Sequence, residues 1–155
     1  METNRNKIGV FPGSFDPFTK GHEAIIHKAI PLFDEIVIAI GVNQSKNYLF
    51  SLEKRIAHIE SLFTESKVKV LTYSGLTIDF CKQINASYLI RGLRDSKDFG
   101  YERSIAHMNF QLHPIETVFF LTNVEYAAIN ATIVREIFKS GGPIDQFVTH
   151  AELLK

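Results

Sequence analysis

The sequence predicts an α/β fold: a Rossmann-like, doubly wound, five-stranded parallel sheet with helices on both faces, forming a single domain over residues 1–155. Three observations carry that expectation. Short β-rich runs alternate with amphipathic segments along the whole chain. The runs Glu35–Gly41 (EIVIAIG) and Glu116–Leu121 (ETVFFL) are apolar nearly throughout, as when both faces of a parallel strand are covered. The length of 155 residues, 45% of them hydrophobic, suits one core that needs no covalent staples.

The first strand is read at Lys7–Phe11. A helix over Gly21–Ile30 then sets Ile26, Ala29 and Ile30 on one side, and Pro31 ends it because proline cannot donate to the helical ladder. After the second strand (Glu35–Gly41), Ser51 caps a helix whose apolar stripe is Ile56, Ile59, Leu62 and Phe63. Val68–Tyr73 is the third strand, and Thr77–Asn85 the third helix, capped by Ser74 or Thr77. Tyr88–Arg91 is the fourth strand, followed by Ser104–Leu112 continuing a helix begun near Asp98. Glu116–Leu121 is the fifth strand, and Ala131–Lys139 the fifth helix, stopped by Gly141-Gly142 and Pro143. The tail to Lys155 reads as a last short helix. In such sheets ligands sit beyond the carboxyl ends of the strands, where the strand order reverses. Site residues are therefore expected after strands one, two, four and five.

Composition narrows the function classes. Seventeen Lys and Arg balance seventeen Asp and Glu, so net charge makes no case for a nucleic-acid or membrane-surface partner. An anionic ligand must be held by locally placed basic groups. Cys81 is the single cysteine, which excludes an internal disulfide; its apolar neighbours Ile78, Phe80 and Ile84 suggest a buried, inert thiol. The segment Met1–Lys7 is polar, and the longest apolar runs, such as Ile36–Ile40, are far too short to span a bilayer, so a cytoplasmic location is expected. His27, His58, His107, His113 and His150 show no paired metal spacing and read as surface or core residues.

Two stretches carry chemistry. In Gly9–His22, Gly13 allows a sharp turn and a close backbone approach, and Gly21-His22 opens a helix. The N–H groups and positive dipole of a helix start favour an anion; His22 can donate to a phosphate oxygen, and Ser14 adds a hydroxyl. The loop is neither GxxxxGK(S/T) nor GxGxxG. A plain strand-to-helix turn, with Thr19 as cap, is the alternative. In Leu89-Ile90-Arg91-Gly92-Leu93-Arg94, two guanidinium groups stand at a strand end with glycine between them, able to hold two different phosphates.

Gly13-Ser14-Phe15-Asp16-Pro17 followed by Thr19-Lys20-Gly21-His22 resembles the signature of the (T/H)xGH nucleotidyltransferases, and most closely that of the phosphopantetheine adenylyltransferases, which have Thr where most relatives have His. The Arg-Gly-Leu-Arg run, then Asp98-Phe99-Gly100-Tyr101-Glu102 and Ala106-His107-Met108-Asn109, looks like the same family. The resemblance implies transfer of the adenylyl group of ATP, with Mg²⁺, to 4′-phosphopantetheine, by direct in-line attack. It implies His22, Arg91 and Arg94 as catalytic residues. Ser14, Phe15, His22, Gly92, Leu93, Arg94, Glu102 and the run Tyr126, Ala127, Ala128, Ile129, Asn130, Ala131, Thr132 would meet ATP. Ser14, Lys46, Asn47, Leu76, Thr77, Arg91 and Asn109 would meet the acceptor. It also implies a homohexamer and makes coenzyme A a candidate feedback ligand.

Two departures stand out. The family has a substrate-contacting lysine at the position matching Asn47, whereas here Lys46 lies one place earlier; a loop shift or a neutral contact would each answer it. Where the family reads Ile-Ser-Ser-(Ser/Thr), this chain reads Ile129-Asn130-Ala131-Thr132, in which Asn130 is a good cap, Thr132 keeps a hydroxyl and Ala131 has none. The competing readings are a related enzyme acting on nicotinamide mononucleotide or glycerol phosphate, and a nucleotide-binding module without catalysis.

Overall fold

The computed structural model describes residues 5–155; residues 1–4 of the polar N-terminal segment lie outside the described residues. Strands β1 (Ile8–Gly13), β2 (Glu35–Gly41), β3 (Val68–Tyr73), β4 (Tyr88–Leu93) and β5 (Glu116–Leu121) form one parallel sheet in the order β3-β2-β1-β4-β5. Helices α1 (Lys20–Ala29), α2 (Leu52–Glu60), α3 (Thr77–Gln83), α4 (Ser96–Leu112) and α5 (Ala131–Lys139) alternate with them. The order reverses between β1 and β4, as a doubly wound sheet requires.

The period-two geometry of β2 sorts the core. Ile36, Ile38 and Ile40 face a cluster with Ile25, Ile26 and Ala29 of α1 and Ile59 of α2, while Val37 and Ala39 face Ile78, Phe80 and Cys81 of α3. A third cluster joins Phe50 and Val134 of α5 to Ile144, Val148, Ala151 and Leu154, so the tail is fastened down. Its last turn is a 3-10 helix, Ala151–Leu154. Cys81 is fully buried, and burial pushes its thiol up to about 11, which makes it inert as expected.

Several expectations are corrected by packing. β1 begins one residue later and runs two residues further than Lys7–Phe11, through Pro12 and Gly13, because β2 goes on pairing with it out to Gly13↔Ile40. β5 is apolar but not covered on both faces: it is an edge strand whose residues are half-buried, with Leu121 exposed. α2 ends at Glu60, and Leu62 and Phe63 pack on the core from the turn beyond it. Neither Ser74 nor Thr77 caps α3; the cap position is Leu76, and the Thr77 hydroxyl pairs instead with that of Tyr73 at 2.8 Å. α3 also stops at Gln83, short of Asn85, which takes a left-handed φ of 54°. α4 begins at Ser96, where the Asp95 carboxylate accepts from the Asp98 N–H at 2.9 Å. Pro31 does end α1, inside a 3-10 turn at Ile30–Leu32, and Ser51 does cap α2.

Candidate active site

β1 and β4 pair only at Gly9↔Tyr88 and Val10↔Leu89 and then part. The gap is crossed by Arg91, whose Nη1 donates to the Pro12 carbonyl at 3.0 Å. Two cavities open around this point. One, of about 370 Å³, is walled by the loop after β1, the start of α1, the end of β4 and the start of α5. The other, of about 310 Å³, lies between β4, α3 and α4. Pro12, Gly13, Arg91 and Glu102 line both and form the junction.

The loop is held in an uncommon shape. Phe15 has φ 48°, a left-handed conformation that costs a non-glycine residue roughly 1–3 kcal/mol. The sharp turn thus sits at Phe15, not at Gly13. Gly13 is required for another reason: a Cβ there would meet the Phe15 ring at 2.8 Å. Gly92 serves similarly at the end of β4, where a Cβ would lie 3.0 Å from Ile25, so α1 can approach the strand and leave the wall open.

His22 stands at the third position of α1, among the rings of Phe11, Phe15 and Phe18. The Thr19 backbone N–H donates to its Nδ1 at 3.0 Å, and the Thr19 hydroxyl lies 3.1 Å from the same atom. A backbone amide can only donate, so Nδ1 is the bare nitrogen and Nε2 carries the proton. Burial lowers the His22 pKa to about 4, with the charges of Arg91 and Arg94 adding to the effect. A neutral imidazole with a donor left for the cavity is the result.

Both arginines of the sequence motif line the larger cavity, and each is bound to a carboxylate. Arg91 makes a two-pronged pair with the buried Glu102, Nε to Oε2 at 2.8 Å and Nη2 to Oε1 at 2.6 Å. Arg94 donates to Asp98 through Nε at 3.2 Å and Nη2 at 3.4 Å. Desolvation raises the Asp98 pKa, but hydrogen bonds from Arg94 outweigh it and leave the carboxyl below its ordinary value. At the start of α5, Asn130 Oδ1 accepts from the Thr132 N–H at 2.8 Å and the Ile133 N–H at 3.4 Å. The cap is as expected, but it occupies two of the backbone donors expected to be left for an anion.

Of the residues singled out in the sequence, Ser14, Phe15, His22, Arg91, Gly92, Arg94, Glu102, Tyr126, Ile129, Asn130, Ala131 and Thr132 line the larger cavity. Leu76, Thr77, Arg91, Glu102 and Asn109 line the smaller. Leu93, Ala127 and Ala128 line neither; Leu93 is buried, and its carbonyl accepts from the Thr122 N–H. Lys46 and Asn47 also stand apart, on an exposed turn in which Asn43 Oδ1 accepts from the Ser45 N–H and hydroxyl. Sequence reasoning missed Arg135, which lines the larger cavity, donates to the Asp16 carbonyl at 3.0 Å and to Thr132 Oγ1 at 3.1 Å, and makes no ion pair among the described residues. Its spacing of three from Thr132 places both on one helix face, which is the signal that could have found it.

A chain of phosphates suits such a site: a helix start, a neutral imidazole donor and three guanidinium groups ring one cavity at the switch point of a doubly wound sheet. The fold and site therefore define a nucleotide-binding α/β protein of the kind that works on phosphate esters. The family model described as cytidylyltransferase-like matches residues 10–137. The phosphopantetheine adenylyltransferase of Flavobacterium johnsoniae is 53% identical over 147 residues, 94% of this chain and 97% of that one. That of Bacteroides thetaiotaomicron is 44% identical over 90% of this chain and 93% of its own. Among solved structures, a bifunctional NMN adenylyltransferase/ADP ribose pyrophosphatase from Francisella tularensis superposes with a TM-score of 0.72 at 21% identity. It covers 92% of this chain, which spans 45% of that longer one, and the likeness is one of fold. The same bifunctional protein in complex with AMP and a manganese ion gives a TM-score of 0.64. The chain belongs to the phosphopantetheine adenylyltransferases, within the cytidylyltransferase-like family.

Proposed function

We propose that residues 1–155 form one nucleotidyltransferase domain that converts ATP and 4′-phosphopantetheine to dephospho-coenzyme A and pyrophosphate. The observation that carries the reading is the junction: two cavities of different chemistry meet at Arg91 and Glu102, one ringed by phosphate-binding groups, the other lined by Leu76, Ile78, Leu89, Ile105 and Leu112. The first suits a triphosphate, and the second suits a long, mostly apolar arm ending in a phosphate at Arg91.

The acceptor phosphate is mostly dianionic near neutral pH, its second pKa being about 6, so no general base is needed to make it a nucleophile. It attacks the α-phosphorus in line, and pyrophosphate leaves without a covalent enzyme intermediate. The protein supplies position and electrostatics. Arg91 and Ser14 hold the acceptor phosphate; His22 donates through Nε2 as charge builds on the α-phosphate; Arg94 and the start of α5 hold the leaving pyrophosphate. Lys46 and Asn47 are left out of this set, because their turn faces solvent. The cavity carboxylates fit a magnesium ion brought in on ATP rather than one ligated by the chain: Asp16, Asp98 and Glu102 are already engaged by N–H donors or arginines. Among the described residues no group of three or more His, Cys, Asp or Glu side chains could hold a metal.

Three further readings go with this one. Among the described residues no helix is long and apolar enough to cross a membrane, and the reaction is proposed to run in the cytoplasm. Coenzyme A, which carries both a pantetheine arm and an adenylyl group, is proposed to span both cavities as a feedback ligand. Tyr101, Met108 and Leu112 on α4 and Leu121 on edge strand β5 are exposed apolar residues, and we propose that other copies of the chain cover them in a hexamer. Light scattering should then give six times the chain mass of 17.6 kDa. The activity is tested by pyrophosphate release with ATP and a panel of acceptors: 4′-phosphopantetheine, nicotinamide mononucleotide and glycerol phosphate. Release with 4′-phosphopantetheine, reduced about 10²–10³-fold in kcat by His22→Ala, is the expected result. Release with another acceptor alone would refute the substrate assignment.

A further inference from the structure

Arg55 is only 2% exposed, yet among the described residues it makes no ion pair. A lone buried charge is costly unless its donors are all well used. Here Nε and Nη1 donate to two carbonyls on separate segments, Phe50 at 3.2 Å and Ser14 at 2.7 Å. The guanidinium also lies over the Tyr48 ring, 4.2 Å from its centroid. The buried Asp16 ties the same two segments in the opposite sense, accepting from the Leu49 N–H at 2.8 Å and the Phe50 N–H at 2.9 Å. Between the two anchored residues, Ser14 and Asp16, sits Phe15 with its left-handed backbone. A strained residue persists where its surroundings over-determine it, and such residues gather at functional sites. The absence of a partner carboxylate fits the same purpose, since a carboxylate would compete with the two carbonyls for the fork.

We propose that Arg55 is a positioning residue for the transfer reaction: through the Ser14 carbonyl it holds the Ser14–Phe15 backbone that walls the phosphate cavity in its reactive geometry. Arg55 lines neither cavity, so it acts only through that loop. Lysine would keep the charge but not the planar fork that reaches both carbonyls at once.

The inference rests on the adenylyl-transfer reading, and the test separates the two. Pyrophosphate release with ATP and 4′-phosphopantetheine is measured for wild type and Arg55→Lys, each per folded molecule, with ATP affinity measured separately by calorimetry. Arg55→Lys should lose about 10- to 100-fold in kcat, the scale for a displacement near 1 Å in a reacting site. Its ATP affinity should fall by less than kcat does, because Arg94 and the start of α5, which hold the far phosphates, are not bonded to Arg55. A merely structural role would lower the melting temperature and leave kcat per folded molecule unchanged, and that result overturns the inference. If Arg55→Lys does not fold, Tyr48→Leu, which removes the ring beneath the guanidinium, should lower kcat about three- to tenfold; an unchanged kcat there overturns it equally. A wild type that releases no pyrophosphate defeats the adenylyl-transfer reading and this inference with it, whereas full turnover in wild type and variant alike defeats only the inference.

Discussion

The charge state of His22 is the point at which the site is most exposed to test. With its pKa lowered from 6.5 to about 4, the ring is about 1% protonated at pH 6, against about 75% for an unperturbed histidine. Nitrogen-15 NMR of the imidazole, followed from pH 8 to pH 4, reads both the protonation and the tautomer. The expected spectrum is that of a neutral Nε2–H ring down to about pH 5, with a midpoint near 4. The same shift sets a stability trend. The unfolded chain takes up this proton near pH 6.5 and the folded chain does not, so the folded state binds fewer protons in the window between 6.5 and 4. Stability is therefore full above that window and lost as pH falls through it. The loss is at most about 3 kcal/mol, and less in practice because part of the ring opens on the cavity. His58 adds in the same sense: burial lowers its pKa, although the hydrogen bond to the Thr149 carbonyl opposes this, and its Nδ1 is buried without a partner. A His22 midpoint near 6.5, or a resonance pattern for Nδ1–H, would refute the reasoning from Thr19 and from burial together.

Arg91→Ala should raise the KM for 4′-phosphopantetheine more than that for ATP, and should also lower the melting temperature, since it strands the buried Glu102 carboxylate at a cost of about 2 kcal/mol or more. Steady-state kinetics in both substrates and thermal unfolding check it; equal rises in the two KM values would contradict the division of labour. Asn130→Ala should cost about 1 kcal/mol by uncapping α5, while Asn130→Ser should restore most of it, read by chemical denaturation.

The strands and helices were legible because their signals are local. The continuous, β-branched apolar run at Glu35–Gly41 is a strand covered on both sides, and Ser51 and Asn130 sit where short polar caps are needed. The rest depended on contacts that sequence spacing does not carry. β5 looks as apolar as β2, and only its edge position leaves it half-covered. The left-handed backbone at Phe15 has no local signature, because tertiary anchors impose it: Asp16 meets Leu49 and Phe50, and Ser14 meets Arg55. In the candidate site Ser14, His22, Arg91 and Arg94 were legible from a helix start and a guanidinium pair, and the resemblance added the rest, whereas Arg135 required the structure to bring α5 against the Asp16 loop. Lys46 reads as a phosphate contact because the family has a lysine one place later, and it stands on an exposed turn held by Asn43.

One pair of residues joins helix formation to chemistry. Thr19 is the N-cap of α1 and His22 its third residue, the spacing at which a Glu or Gln side chain ordinarily reaches back to the cap N–H. Glutamate would serve the helix but turn a negative charge toward a cavity built for phosphates. Histidine satisfies the same N–H with Nδ1 and keeps a donor on the opposite edge of the ring. Protonating Nδ1 would set two donors face to face, so the cap itself resists the charged form, alongside burial and the two arginines. Glutamine is the other side chain that can accept with one atom and donate with another. His22→Gln should therefore keep the helix start and retain more turnover than His22→Ala, by about tenfold, with a melting temperature nearer that of wild type. If glutamine and alanine were equally impaired in kcat and equally destabilised, the coupling of cap to donor would be wrong, and His22 would act through some property of the ring that an amide cannot supply.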